Sequence, residues 1–121
     1  MGEKLYIDLE LRLFAGGRRQ GPCLAALLHS IERLHSLRAA CQSLGMPYSR
    51  AWHTIREAEE HLGFPLLRTA TGGHHGGGAS LTGEGAALLR SYDGFCTELE
   101  RQKESLYKKY FGACRIPGGE K

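Results

Sequence analysis

A mainly α domain carrying a small β-sheet is the fold class that this chain of 121 residues predicts, and three features predict it. Apolar residues recur at spacings of three and four over three separate stretches, the period of an amphipathic helix. A segment near the N-terminus instead alternates strictly, the period of a strand. A glycine-rich run, "TATGGHHGGGASLT" at 69–82, lies between two short apolar segments and reads as the tip of a β-hairpin.

Taken in order, "KLYIDLELRLF" at 4–14 puts Leu5, Ile7, Leu9, Leu11 and Leu13 on one face and Tyr6, Asp8, Glu10, Arg12 and Phe14 on the other, so an N-terminal half-buried strand is expected. "AGGRRQGP" follows as a turn, with Pro22 suited to the first turn of a helix that runs to about Leu34. That helix is expected to bury Leu24, Leu27, Leu28, Ile31 and Leu34. Ser36 is placed to cap a short helix through Leu44, and Gly45 supplies the left-handed residue that stops it. Pro47 opens the next helix, with Tyr48, Ala51, Ile55, Ala58 and Leu62 on its apolar face and Ser49, His53, Arg56 and Glu60 opposite. Gly63 and Pro65 end it. Two short strands around the glycine-rich tip come next, and Thr82 caps a last helix with Glu84 in its first turn. Leu88, Tyr92, Phe95, Leu99, Gln102 and Leu106 follow a coiled-coil spacing, which predicts a long C-terminal dimerisation helix. Unbroken to Phe111, it measures on the order of 45 Å.

Length and a hydrophobic content of 41% suit a single core. Residues 1–111 are read as one domain that includes the C-terminal helix, and 112–121 as a flexible tail. No stretch is long and apolar enough for a membrane span, and the N-terminus is unlike a signal peptide, so a cytoplasmic protein is expected. Net charge is only +3, yet residues 11–75 hold eight arginines against four glutamates. All six histidines fall in that region too, so a modest fall in pH makes it more cationic. Such a surface suits a polyanion.

Strand, helix, helix, tight turn, helix, hairpin, helix is the order of a winged helix-turn-helix. Ala39, Ala40 and Cys41 let two helices approach closely, while Ala51 and Ile55 seat the second of them on the core. Its outer face is then free to enter a major groove. Tyr48, Ser49 and Arg50 lie in its first turn, where amide groups and the dipole favour a phosphate oxygen, and His53 and Arg56 follow further along. On the wing, Arg68, Thr69, Thr71, Gly72, Gly73, His74 and His75 are expected to meet the DNA backbone, the glycines allowing amides to approach phosphates with no Cβ in the way.

Ser36, Ala39-Ala40, Leu44, Ile55, "EEHLGFPLL" and "LTGEG" look like the N-terminal DNA-binding domain of LysR-type bacterial regulators. "LRLFAGGRR", "YSRAW" and "ATGGHHGGGASLT" resemble more closely the molybdate-responsive ModE-type regulators, over about residues 5–95. The resemblance implies a dimeric DNA-binding transcription regulator whose third helix reads the major groove. A homodimer through Leu88, Tyr92, Phe95, Leu99 and Leu106 would place two recognition helices about 34 Å apart on an inverted-repeat site. Thr69 stands where the family's wing carries arginine, with Arg68 beside it. His74 stands at a basic position of the tip. Full-length members continue into oxyanion-binding β-barrels, so no small-molecule effector domain is expected within this chain.

Other chemistry reads weakly. The glycine run lacks the Gly-Lys-Ser/Thr ending of a nucleotide loop and precedes a strand. Cys23, Cys41, Cys96 and Cys114 are far apart, and no metal or cofactor is expected. Glu57, Glu59 and Glu60 read as solvated helix surface, and no catalytic set appears, so the chain is not read as an enzyme. Two alternatives stay open: a winged-helix protein-interaction module, and a metal- or redox-responsive repressor that uses Cys41 or the His74–His75 pair.

Overall fold

The computed structural model describes residues 5–16, 23–70 and 78–112. Among these described residues, four α-helices and a two-stranded sheet appear in the order α1 (Leu24–Leu34), α2 (Leu37–Leu44), α3 (Tyr48–Leu62), β1 (Leu67–Thr69), β2 (Ala79–Leu81) and α4 (Gly83–Tyr107). A short π-helical stretch, Lys108–Gly112, continues α4. The chain divides into two compact units, Arg12–Tyr92 and a second formed by Met1–Leu11 with Asp93–Lys121.

In the unit Arg12–Tyr92 the amphipathic stripes meet. Leu24, Leu27, Leu28 and Ile31 of α1, Ala40 and Cys41 of α2, and Ala51, Ile55 and Ala58 of α3 are buried together with Leu66, Ala79 and Leu89. Small residues at 40, 51 and 58 bring helix backbones close, as the ridge-and-groove geometry of packed helices requires. Leu34 departs from expectation: it is the last residue of α1 and is exposed, because His35 turns the chain away immediately after it with a left-handed φ of 58°.

The caps stand where the sequence puts them. The Ser36 hydroxyl accepts the Ala39 N–H at 3.0 Å, and Gly45 ends α2 at φ 68°. Gly63 ends α3 at φ 85°. Thr82 caps α4 by accepting the Gly85 N–H at 2.9 Å, and its hydroxyl donates to the Pro65 carbonyl at 2.6 Å. Gly85 has a packing reason. A Cβ there would stand 2.5 Å from the Leu66 carbonyl oxygen, so the first turn of α4 presses directly on the backbone that leads into β1.

The expected N-terminal strand is not formed. Residues 5–15 take part in no ladder, and among the described residues the sheet holds β1 and β2 alone. Alternation marks two faces, but a strand needs a neighbour, and this segment's backbone groups go elsewhere. The Leu13 carbonyl accepts the Leu24 N–H at 2.8 Å, at the start of α1, and the Leu13 N–H donates to Cys23 Sγ. In the second unit Lys103 donates to the Ile7 carbonyl and the Tyr107 hydroxyl to that of Leu5.

The long helix also resolves into two parts. Leu88 and Tyr92 pack against the core of their own unit, and α4's buried residues are Gly85 and Leu89. Beyond them Phe95 is 61% exposed and Leu106 50%, with Leu99 half-buried.

Candidate nucleic-acid interface

Burial of Ala51, Ile55 and Ala58 fixes which way α3 faces. Ser49, His53, Arg56 and Glu60 lie on the opposite side at spacings of four, three and four, and all four are exposed. Arg50 is exposed on the flank of that face and has no ion pair among the described residues. The helix begins after Pro47, in the extended conformation and with no side-chain cap, so its first-turn amides have no intrahelical acceptor. That end presents donors and positive dipole to solvent.

Two arginines rest on aromatic rings. Arg56 lies 4.6 Å from the centroid of Trp52, a half-buried ring packed against the core that orients an exposed cation. Arg56 Nη1 also meets Glu59 Oε1 at 3.5 Å, a surface ion pair that contributes roughly 0–1 kcal/mol and yields readily to a phosphate or a base edge. Arg38, from the first turn of α2, sits 4.9 Å over the Tyr48 ring. Tyr48 therefore departs from the apolar stripe proposed for it and is 43% exposed, shared between the start of α3 and an α2 cation. The apolar pattern of the sequence does not point to Arg38, although it is the only charged residue of "LRAACQSL", a signal of an outward cation on α2.

The wing stem is described and its tip is not. β1 and β2 pair antiparallel with Leu67 opposite Leu81, Arg68 opposite Ser80 and Thr69 opposite Ala79, and Ala70 donates to the Gly78 carbonyl at 3.0 Å. Arg68, Thr69 and Ser80 are exposed. Thr71, Gly72, Gly73, His74 and His75 lie outside the described residues, as does the tail from 113. The register sharpens the difference at 68 and 69. Successive strand residues point to opposite faces, so a cation at 68 stands with Ser80 on the face away from Leu67 and Leu81.

Glu59 contradicts its reading as solvated surface. Its side chain is only 15% exposed, and Oε2 accepts the Leu66 N–H at 2.8 Å and the Leu67 N–H at 3.3 Å. These amides lead into β1, and a carboxylate one helical turn from the end of α3 accepts both. One side chain thus joins Arg56 on the outer face of α3 to the root of the strand that bears Arg68. Nothing in the spacing of "EAEEHLGF" distinguishes Glu59 from Glu57 or Glu60; the contact depends on how the chain turns after Gly63.

Cys41 is buried at 3% exposure, and that burial pushes its thiol pKa up, with Arg38 opposing more weakly. A buried, protonated thiol is a poor nucleophile. Among the described residues no three His, Cys, Asp or Glu side chains converge as metal ligands. No described helix is long and apolar enough to cross a membrane.

Residues 24–86, from the start of α1 to the first turn of α4, match the model of the bacterial regulatory helix-turn-helix proteins of the LysR family. The chain is also similar to the molybdenum-pterin-binding protein MopB of Rhodobacter capsulatus, 38% identical over 63% of this chain and 28% of that protein. It is 34% identical to the transcriptional regulator ModE of Yersinia pestis over 84% of this chain and 37% of that one. To the DNA-binding transcriptional dual regulator ModE of Escherichia coli K12 it is 36% identical, over 74% and 32%. The chain spans about a third of the length of these relatives. With more than half its residues inside the family model, and with the two-helix unit, its glycine turn and the hairpin all in place, the chain belongs to the LysR family of bacterial regulatory helix-turn-helix proteins.

Proposed function

We propose that this chain binds double-stranded DNA as part of a dimeric transcription regulator, with α3 in the major groove and the hairpin on the backbone. The observation that carries the reading is the exposed polar face of α3 that bears Ser49, His53 and Arg56 with Arg50 on its flank, set opposite the buried Ala51, Ile55 and Ala58 and tied to the wing root through Glu59. Ser49, Arg50 and the first-turn amides meet phosphate, Arg38 and Tyr48 extend that contact onto α2, and His53 and Arg56 reach base edges. Arg68, Thr69 and the glycine-rich tip meet the adjacent backbone. The family and the relatives named as regulators support this reading. The exposed Phe95 and Leu106, with the half-buried Leu99 between them in the seam, support a dimer.

The test is duplex binding as a function of salt. Affinity should fall steeply as salt rises, because bound cations release condensed counterions, whereas an apolar protein interface changes little. Once bound sites are mapped genome-wide, Arg56→Ala should weaken the preferred site by about 1–3 kcal/mol and relax base choice. Arg68→Ala should weaken all duplexes alike. A salt-insensitive interaction, or a base-selective loss on changing Arg68, overturns the assignment.

A further inference from the structure

The carboxylate of Glu59 has two oxygens with two different duties. Oε2 takes the Leu66 and Leu67 amides at 2.8 and 3.3 Å, which fixes where β1 leaves α3. Oε1 meets Arg56 Nη1 at 3.5 Å, a longer and weaker contact. Glu59 is 15% exposed at its side chain and Arg56 64%, so the anchored partner is the acid and the movable one is the base. Arg56, Glu59, Glu60, Gly63, Phe64 and Pro65 together line an open cleft beside this junction.

We infer that Glu59 is a positioning residue for nucleic-acid binding: it anchors the wing root to α3 through Oε2 and restrains Arg56 through Oε1 until nucleic acid displaces it. The inference rests on the duplex-binding reading. Two backbone amide donors keep the carboxylate in place when the guanidinium leaves, so release of Arg56 leaves the root of β1 where it was. The acid also opposes non-specific binding, since every duplex that takes Arg56 must first break the ion pair and then tolerate a carboxylate nearby. A site with an ideal acceptor for Arg56 overcomes this more fully than one without.

Glu59→Gln separates the two duties, because the amide oxygen still accepts from Leu66 and Leu67 while the charge facing Arg56 is gone. With sheared genomic duplex as the probe, Glu59→Gln should bind about two- to fivefold more tightly at low salt. Its plot of log affinity against log salt should steepen by about one. Thermal stability should stay that of the parent, which a purely structural role would not combine with a changed salt slope. Glu59→Ala removes the acceptor, and hydrogen exchange at the Leu66 and Leu67 amides should then speed up in protein free of DNA.

An unchanged affinity and salt slope in Glu59→Gln overturns the restraint of Arg56. Unchanged exchange at Leu66 and Leu67 in a folded Glu59→Ala overturns the anchor. If the parent protein binds no duplex at any salt, the functional reading fails by itself, and the exchange experiment still decides the anchor.

Discussion

The two ends of the long helix obey one sequence rule and meet different fates. In the unit Arg12–Tyr92, apolar residues at spacings of three and four are covered: Leu27, Leu28, Ile31 and Ile55 are at 0% exposure. In the other unit the same spacing leaves Phe95 61% and Leu106 50% exposed, with Leu5 at 50% and Leu9 at 44%. What holds residues 5–7 there is polar, the Lys103 and Tyr107 donors on two backbone carbonyls. Periodicity marks an apolar face; only neighbours cover it. Three helices, a hairpin and the first turns of α4 each bring a face to one centre, whereas the distal helix brings one face and finds a short segment.

Paired core and seam substitutions give the widest contrast. Ile55→Ala should lower the free energy of unfolding by about 2–5 kcal/mol at any protein concentration, the range for a buried aliphatic truncated to leave a cavity. Phe95→Ala should stay within about 0.5 kcal/mol of the parent in dilute protein. In concentrated protein it should weaken self-association, read by sedimentation equilibrium. If Phe95→Ala costs as much as Ile55→Ala in dilute protein, the seam is covered within one chain and the dimer proposal loses its support.

Two glycines of α4 repeat the contrast on a smaller scale. Gly85→Ala forces a methyl to within 2.5 Å of the Leu66 carbonyl, and the backbone on both sides must give way. A loss of about 1–3 kcal/mol is expected. Gly94 meets nothing within 4 Å, so Gly94→Ala should raise stability by about 0.5–1 kcal/mol through helix propensity alone. Thermal melts of the two variants check both signs. A destabilising Gly94→Ala that appears only in concentrated protein would place position 94 inside the proposed dimer contact.

Much of this architecture was legible because local rules and packing agree there. Ser36, Gly45, Gly63 and Thr82 cap where short-range chemistry requires, and the stripes of α1 and α3 name their own core. The outward residues of α3 follow by subtraction, which is why Ser49, His53 and Arg56 could be placed in advance. Long-range partners were not legible. The alternating N-terminal segment looked like a strand because its pattern says nothing about whether a second strand lies beside it. Glu59 looked like its neighbours because its two amide donors come from residues seven and eight further along the chain. Arg38 and Tyr48 meet only because the turn at Gly45 sets the angle between two helices.

His35 shows the packed unit overruling a local preference, and it carries the smallest expected effect. It is the one non-glycine residue with positive φ among those described, at 58°. Its N–H donates to the Ile31 carbonyl at 2.7 Å and its own carbonyl accepts from Ala79 at 3.1 Å, so α1's end and β2 hold the residue from both sides. Left-handed backbone disfavours a Cβ, and His35→Gly removes that strain while leaving both hydrogen bonds available. Glycine also frees the unfolded chain, which offsets part of the gain. The net expected from chemical denaturation is a stabilisation of about 0.5 kcal/mol. A loss above about 1 kcal/mol would instead mean that the imidazole itself supports the α1–β2 junction, making His35 part of the packing of the unit Arg12–Tyr92.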